Sequence, residues 1–325
     1  MTTSLGDKRF AVRIVPPPPP PPPPSPPPSS RRCLSLLLLL LGVGAGFAAG
    51  YAVHASLSVL SYDHLTLSAL PVDADCRVPY KGVAGSLELL DSGTILFLSA
   101  CLHFHTWRVN EPWRTTPVSS NLQNFVRPQT DILKFTALSA DALYVSYVRN
   151  DNECYSIRVL RASTAGASLN FAPVPLLDEC VSGRLNLHAA GGQLLAPPDG
   201  SLYVTVGDFL ESPSRAQDAR SAFGKIWRRA ANGTLELASL GHRNPQGLCP
   251  TEDADLLLET EHGPRGGDEI NLLRTTERRN YGWPLASYGS HYNGTRIPDA
   301  HASRGFVEPI AYFPWSKVGS HGIGD

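Results

Sequence analysis

The sequence predicts an all-β fold, in which short antiparallel hairpins repeat as the blades of a β-propeller. From Gly82 onward, short strand-like runs recur with turns between them, and no long stretch has helical periodicity. The clearest unit is Leu194–Val206, in which an apolar strand, an Asp-Gly turn and a Leu-Tyr-Val strand follow one another. Such alternation around turns is typical of antiparallel hairpins. Propeller blades have roughly 40–50 residues each, so residues 82–325 would form about five.

The segments before the propeller domain (82–325) have a different composition. Residues 1–32 contain the run Pro16–Pro28, which we expect to form a solvated polyproline II tail. Residues 33–55 are apolar and almost uncharged, and their length is near the roughly 20 residues that cross a bilayer. We therefore expect a transmembrane anchor at 33–55, followed by a linker at 56–81.

The charges around this apolar segment predict its orientation. Arg31 and Arg32 precede it and would hold the N-terminus in the cytoplasm. A cleaved signal peptide is the alternative, since Ala45–Ala49 offers small residues for cleavage. Both interpretations place the propeller domain in the periplasm or outside the cell, as part of a single-pass membrane protein in the first case. The net charge of −1 gives no electrostatic argument for a nucleic-acid partner.

The cysteines agree with export to an oxidising compartment. Cys154 and Cys180 flank polar turns and are the first candidate pair. Cys76 and Cys101 are the second, which would leave Cys249 as a small, unpaired, buried residue. No pair of cysteines has the CxxC spacing, which argues against a zinc–thiolate site.

Three polar runs stand close together in the second half of the chain. They are Gly241–Gly247 (GHRNPQG), Glu261–Glu269 (EHGPRGGDE) and Asn280–Pro284 (NYGWP). A folded core seldom tolerates this density of polar groups unless a ligand or a metal satisfies them. No GxGxxG run opens a helix, which argues against a nicotinamide or flavin site of the Rossmann type.

These runs, in this order, resemble the quinoprotein sugar dehydrogenases, the soluble aldose and glucose/sorbosone dehydrogenases. That family uses pyrroloquinoline quinone (PQQ) and Ca²⁺ on a six-bladed β-propeller of the quinoprotein glucose dehydrogenase type. The resemblance implies oxidation of an aldose sugar at C1 to the lactone, with electrons passed to an unknown acceptor. The family begins another blade at Glu308–Trp315, so we expect an incomplete propeller and a chain that is a piece of a longer protein.

The resemblance also implies roles for individual residues. His188 would be the catalytic base, and Asp208 would orient its ring. An imidazole suits the first role because its unperturbed pKa is near 6.5. Arg243 would lie against the quinone and stabilise its reduced form, with Asn244 as a hydrogen-bonding partner. Two further cofactor-binding side chains are expected in the same loops, namely Gln246 and His262.

Two calcium sites follow from the same resemblance. The backbone carbonyls of Gly263 and Pro264 would bind the ion that also touches PQQ, since Ca²⁺ readily uses main-chain oxygens. Glu269 and Tyr281 match a second, structural site, although Glu269 could instead be a solvated residue at a strand edge.

The sequence also permits a binding function without catalysis. Some proteins with this domain, such as the hedgehog-interacting type, act by binding and not by redox chemistry. A non-catalytic β-propeller with a degenerate or incomplete cofactor site is therefore the alternative. The set His188, Asp208, Arg243 and Asn244 argues against it, because a binding module has no need of them together.

Overall fold

A computed structural model describes residues 61–62, 65–66, 86–91, 93–99, 101–108, 111, 115–127, 130–183, 187–211, 213–314 and 323. The tail (1–32) and the anchor (33–55) that we predict lie outside these residues, as does most of the linker (56–81). Among the residues described, no helix has the length and apolar character needed to span a membrane.

The described residues form mostly short strands, as predicted. In chain order these are β1 (Ser61–Tyr62), β2 (Leu65–Thr66), β3 (Ser86–Leu89), β4 (Thr94–Leu98), β5 (Phe104–Arg108), β6 (Thr115–Ser120), β7 (Ile132–Leu138), β8 (Ala142–Asp151), β9 (Cys154–Ser163), β10 (Ser168–Leu169), β11 (Ala172–Val174), β12 (Gly191–Leu195), β13 (Leu202–Val206), β14 (Lys225–Arg229), β15 (Leu235–Leu240), β16 (Pro245–Pro250), β17 (Leu256–Glu261), β18 (Asp268–Arg274), β19 (Arg279–Asn280) and β20 (Ala311–Phe313). The helices within these ranges are short 3₁₀ turns at Leu122–Asn124, Leu187–Ala190, Pro213–Gln217 and Ala302–Arg304.

The strands form four sheets in which neighbours along the chain pair antiparallel, as the blades of a propeller do. Their orders are β10-β6-β5-β4-β3, β11-β9-β8-β7, β12-β13-β14-β15-β19 and β16-β17-β18-β20. The outer strands β10 and β19 pair parallel to β6 and β15, whereas β11 and β20 join antiparallel. β1 and β2 form a separate antiparallel pair. This confirms the all-β propeller class, while the total of about five blades stays a prediction.

Strand β8 shows how neighbouring sheets pack on each other. Its alternate side chains point to opposite faces, as in any strand. Leu143, Val145 and Tyr147 join the apolar cluster that includes the first sheet. Tyr144 and Val148 join the cluster that includes the third sheet. β8 is therefore buried on both faces, and each fully buried apolar side chain contributes roughly 1.5–3 kcal/mol.

The disulfide predicted first is present. Cys154 and Cys180 are bonded, with 5.4 Å between their Cα atoms. The prediction for Cys249 is wrong, because this half-buried residue of β16 is disulfide-bonded, as is Cys101. Cys249 was only the residue left over after two pairs had been chosen, and the connectivity of several cysteines depends on which loops the fold brings together.

Candidate active site

The polar loops meet where strands of the third and fourth sheets end. The Asp208 N–H donates to the Arg243 carbonyl at 2.8 Å, and the His262 N–H donates to the Asn244 carbonyl at 3.1 Å. The turn that carries His188 joins them, since the Gly207 N–H donates to the Ala190 carbonyl at 2.8 Å. The fold thus brings most of the predicted site residues into one region.

Gly207 is required for this close approach. A Cβ atom at Gly207 would lie 2.1 Å from the Ala189 carbonyl oxygen, which is backbone and cannot move aside. A side chain here would push the turn of His188 away from the segment that carries Asp208.

Arg243 is deeply buried, with 4% of its surface exposed. Its Nη1 donates to the His262 carbonyl at 2.8 Å and to the Gly263 carbonyl at 2.6 Å. Its Nη2 lies 3.0 Å from the Tyr292 hydroxyl. The guanidinium also lies 5.6 Å from the Trp283 ring centroid and 6.0 Å from that of Tyr292. The buried Nε has no hydrogen-bond partner in the part of the chain that the structure describes.

Asp208 is buried, and its two oxygens are already engaged. Oδ1 accepts from the Leu210 N–H at 2.8 Å, and Oδ2 accepts from the Trp283 Nε1–H at 2.8 Å. Burial raises the pKa of Asp208 to about 6, although the positive charge of Arg243 opposes this rise. These bonds do not go to His188. That Asp208 orients the ring of His188 stays a prediction.

The turn of His188 is held by its backbone, while the side chain is exposed. Gln246 Nε2 donates to the His188 carbonyl at 2.8 Å and lies 3.4 Å from Asn244 Oδ1. Asn244 Oδ1 also accepts from the Gly191 N–H at 3.0 Å. Asn244 and Gln246 thus fix the loop beneath His188.

The loop predicted to hold the catalytic calcium presents its oxygens to a cation. The Gly263 carbonyl accepts from Arg243, and the Gly263 N–H donates to Asp268 Oδ1 at 2.8 Å. Pro264 is buried, and no described residue donates a hydrogen bond to its carbonyl. A Cβ atom on Gly263 would lie 2.2 Å from the Gly266 oxygen, so this tight loop needs glycine there.

The residues predicted for the second calcium site are both buried. Glu269 is 5% exposed and pairs with Glu261 across β17 and β18, so it is not a solvated residue at a strand edge. Burial, together with the negative charge of Glu261, raises the pKa of Glu269 well above its usual range. The hydroxyl of Tyr281 donates to the Leu272 carbonyl at 2.8 Å. That Glu269 and Tyr281 share an ion stays a prediction.

Sequence reasoning missed Lys134, a buried lysine of β7. Its stem packs against Gly192, where a Cβ atom would lie 2.9 Å from the Lys134 Cβ. Burial lowers the pKa of Lys134 to about 8. Burial likewise lowers the pKa of His262, and the charges of Arg243 and Lys134 add to that effect. The available signal was a lone lysine within the otherwise apolar strand Ile132–Leu138.

Tyr292 was also missed, because nothing in its local sequence sets it apart. It is 66% exposed yet covers the guanidinium of Arg243 from the solvent side. Only the folded loop brings the two residues together.

The fold and these loops define a β-propeller with a polar site at the ends of two adjacent sheets. Residues 135–323 match the Glucose / Sorbosone dehydrogenase family, and the chain belongs to that family. It is 36% identical over 139 residues to the aldose sugar dehydrogenase YliI of Escherichia coli (strain K12), covering 38% of this chain and 37% of that protein. It is 34% identical over 171 residues to quinoprotein glucose dehydrogenase B of Acinetobacter calcoaceticus, covering 42% and 34%. The chain therefore spans less than half the length of these relatives.

Solved structures give the same family and confirm the fold. A crystal structure of a glucose dehydrogenase matches with a TM-score of 0.59 and 27% identity, over 71% of this chain and 72% of that one. The soluble aldose sugar dehydrogenase of Escherichia coli, in its apo-form, matches with a TM-score of 0.59 and 25% identity, over 72% and 73%.

Proposed function

We propose that this chain carries the catalytic propeller of a PQQ- and Ca²⁺-dependent dehydrogenase that oxidises an aldose sugar at C1 to the lactone. The observation that carries the proposal is the convergence of the turn of His188 with the loop of Arg243 and Asn244. Membership of the Glucose / Sorbosone dehydrogenase family supports it. So do the names of the relatives, an aldose sugar dehydrogenase and a quinoprotein glucose dehydrogenase.

The donors in this region fit a planar, anionic cofactor. Arg243 Nε is buried without a hydrogen bond among the described residues. A carboxylate or quinone oxygen would satisfy it, and guanidinium–carboxylate bonds are among the stronger ones in proteins. The carbonyl of Gly263 already faces a positive charge, as a Ca²⁺ ligand would. An ion held by Gly263 and Pro264 would compete with Arg243 Nη1 for that oxygen.

The side chains then have separate tasks. His188 is exposed at the edge of the site and would take the proton of the C1 hydroxyl. PQQ, when bound, supplies the acceptor for the hydride, which no side chain can provide. Arg243 would stabilise the negative charge that results, since it is already fixed among carbonyls and aromatic rings. Asp208 positions Trp283, against which Arg243 packs.

We also propose that the reaction takes place outside the cytoplasm. The disulfide between Cys154 and Cys180 supports this location, because such bonds persist in oxidising compartments. The apolar segment at 33–55 would supply the membrane anchor. Protease protection of the N-terminal tail in intact cells, with a cleavable propeller domain, is the expected result, and the reverse pattern would contradict it.

The function is tested by titrating the full chain with PQQ in the presence of Ca²⁺, then adding a panel of aldoses. Changes in PQQ absorbance report binding and sugar-dependent reduction separately. We expect His188→Ala to keep PQQ binding and to lose reduction by about 10²–10⁴-fold, the usual contribution of a general base. Arg243→Ala should lose PQQ binding as well. Arg220→Ala, at a side chain that is 91% exposed, is the matched control and should change neither.

The binding alternative rests on one observation. Oδ1 of Asp208 accepts from the Leu210 N–H and Oδ2 accepts from the Trp283 Nε1–H, so the carboxylate has a structural task apart from catalysis. A propeller that serves only as a binding module could keep Asp208 for that structural task alone. PQQ bound without reduction by any aldose would refute the dehydrogenase, and failure to bind PQQ would favour the binding module.

A further inference from the structure

A second cluster of polar side chains is buried beneath the loop that carries Arg243. It consists of His242, Glu259 and Glu261, whose exposed fractions are 0%, 0% and 4%. Glu259 and Glu261 are two residues apart on β17 and so share one face of the strand. His242 Nδ1 lies 3.4 Å from Glu261 Oε1 and 3.9 Å from Glu259 Oε2. One ligand atom from each residue lies within 4.8 Å of the other two.

Two of these atoms lack the partner that burial demands. His242 Nδ1 and Glu259 Oε1 are buried and make no hydrogen bond to any residue in the described ranges. The other ring nitrogen, His242 Nε2, lies 2.8 Å from Ser239 Oγ. If Nε2 donates to that hydroxyl, Nδ1 turns its lone pair toward two carboxylates. Such an arrangement is costly in a dry interior unless a cation or a proton lies between the groups.

The remaining atoms of the carboxylates are held in place by hydrogen bonds. Asn271 Nδ2 donates to Glu259 Oε2 at 3.0 Å and lies 3.2 Å from Glu261 Oε1. The Arg243 N–H donates to Glu261 Oε2 at 2.7 Å. Partners that orient ligands from outside in this way are a regular feature of metal sites.

We propose that His242, Glu259 and Glu261 bind a divalent transition-metal ion of the Zn²⁺ type. One imidazole nitrogen with two carboxylates is a donor set that suits Zn²⁺ or Mn²⁺, whereas Ca²⁺ takes oxygen ligands. Two glutamates and a neutral histidine also balance the charge of a divalent ion. This site is separate from the carbonyls of Gly263 and Pro264.

The position of the cluster gives the ion a structural task. His242 directly precedes Arg243, and Glu261 directly precedes His262. An ion that joins His242 to Glu261 therefore ties together the two loops of the candidate active site. This role does not depend on whether the protein oxidises sugars.

The test measures Zn²⁺ on the full chain, with neither PQQ nor sugar present. The protein is stripped with a chelator, titrated with ZnCl₂, and analysed for metal content, affinity and Tm. We expect one Zn²⁺ per chain that is lost, or weakened by at least about 100-fold, in Glu259→Gln and in His242→Gln, because even outer partners contribute roughly 10–100-fold. Glu252→Gln, at an exposed carboxylate just before β17, should bind Zn²⁺ like the wild type.

X-ray absorption at the zinc edge keeps the proposal testable if a variant folds poorly. The wild type should show scattering from one imidazole and from oxygen ligands. Zn²⁺ that binds Glu259→Gln as tightly as the wild type would place the ion on other residues and overturn the proposal. A wild type that binds no Zn²⁺ would also overturn it, and would mean that protons neutralise the cluster.

Discussion

Two buried lysines test how the burial of a charge affects the stability of this fold. Lys134 and Lys225 are 6% and 0% exposed, and burial lowers the pKa of each to about 8. Lys225 Nζ donates to the carbonyls of Arg215, Ala216 and Phe223 at 2.7, 3.0 and 2.6 Å. Lys134 Nζ makes no hydrogen bond within the described residues, and lies 5.8 Å from the ring of Phe135. Substituting each lysine by Met should therefore have opposite effects.

The size of the effect at Lys134 follows from its pKa. A fall from 10.5 to about 8 corresponds to about 3 kcal/mol of burial penalty at pH 7, at roughly 1.36 kcal/mol per pKa unit. Met has a similar length and no charge, so Lys134→Met should raise the free energy of unfolding by up to that amount. Lys225→Met should lower it by about 1–3 kcal/mol or more, because three carbonyls lose their donor.

The pH dependence provides a second check on Lys134. Between pH 8 and pH 10.5 the unfolded chain binds the proton that the folded Lys134 has lost, so the stability of the wild type rises with pH across this window. Lys134→Met removes that rise, and its advantage should shrink as the pH approaches 10. Urea unfolding followed by tryptophan fluorescence at pH 7 and pH 9.5 measures both quantities. A Lys134→Met variant that is less stable than the wild type at pH 7 would refute the reasoning.

Three further predictions concern stability. Gly207→Ala should lower Tm strongly, since its Cβ would lie 2.1 Å from a backbone oxygen. The control Gly166→Ala should have little effect, because the nearest atom to its Cβ would lie 3.6 Å away. Equal Tm values for the two variants would contradict this prediction. Replacing Cys154 and Cys180 together by Ser should cost about 3.5 kcal/mol, from a sequence separation of 26, as measured by urea unfolding under non-reducing conditions. The pKa of Asp208 is about 6 in the folded protein against 3.8 for an ordinary Asp, so the free energy of unfolding of the wild type should fall as the pH rises through that window. Asp208→Asn does not titrate, so its free energy of unfolding relative to the wild type should rise by about 3 kcal/mol between pH 4 and pH 7. Parallel pH profiles would show that Asp208 titrates normally.

Much of the fold could be predicted from local patterns. Runs such as Leu202–Val206 alternate around Asp-Gly turns, and they form strands of antiparallel sheets as expected. Such signals are local, because a turn residue and the period of a strand depend on only a few neighbours. Strand β8 could be predicted from its sequence for the same reason. Its burial on both faces could not be predicted, because that depends on which sheets pack against it.

The site could be predicted in part, through the linked motifs. These motifs correctly indicated that Arg243 and Asn244 share a region with the turn of His188. They did not indicate that Asp208 would bond to Trp283, which lies 75 residues away along the chain. Lys134 was overlooked because a single lysine in a strand is more often a solvated residue than a buried one.

The sequence by itself determined the class of this protein, since hairpin turns and three polar motifs are short-range features that need no knowledge of packing. Only the tertiary structure decided which groups satisfy one another. Arg243 Nη1 bonds to the carbonyls of His262 and Gly263, whereas its buried Nε has no partner among the described residues. His242 and Glu259 read as ordinary polar residues until the fold buries them side by side. The physical reason is that hydrogen bonds and desolvation act over a few ångströms in space, whatever the separation along the chain.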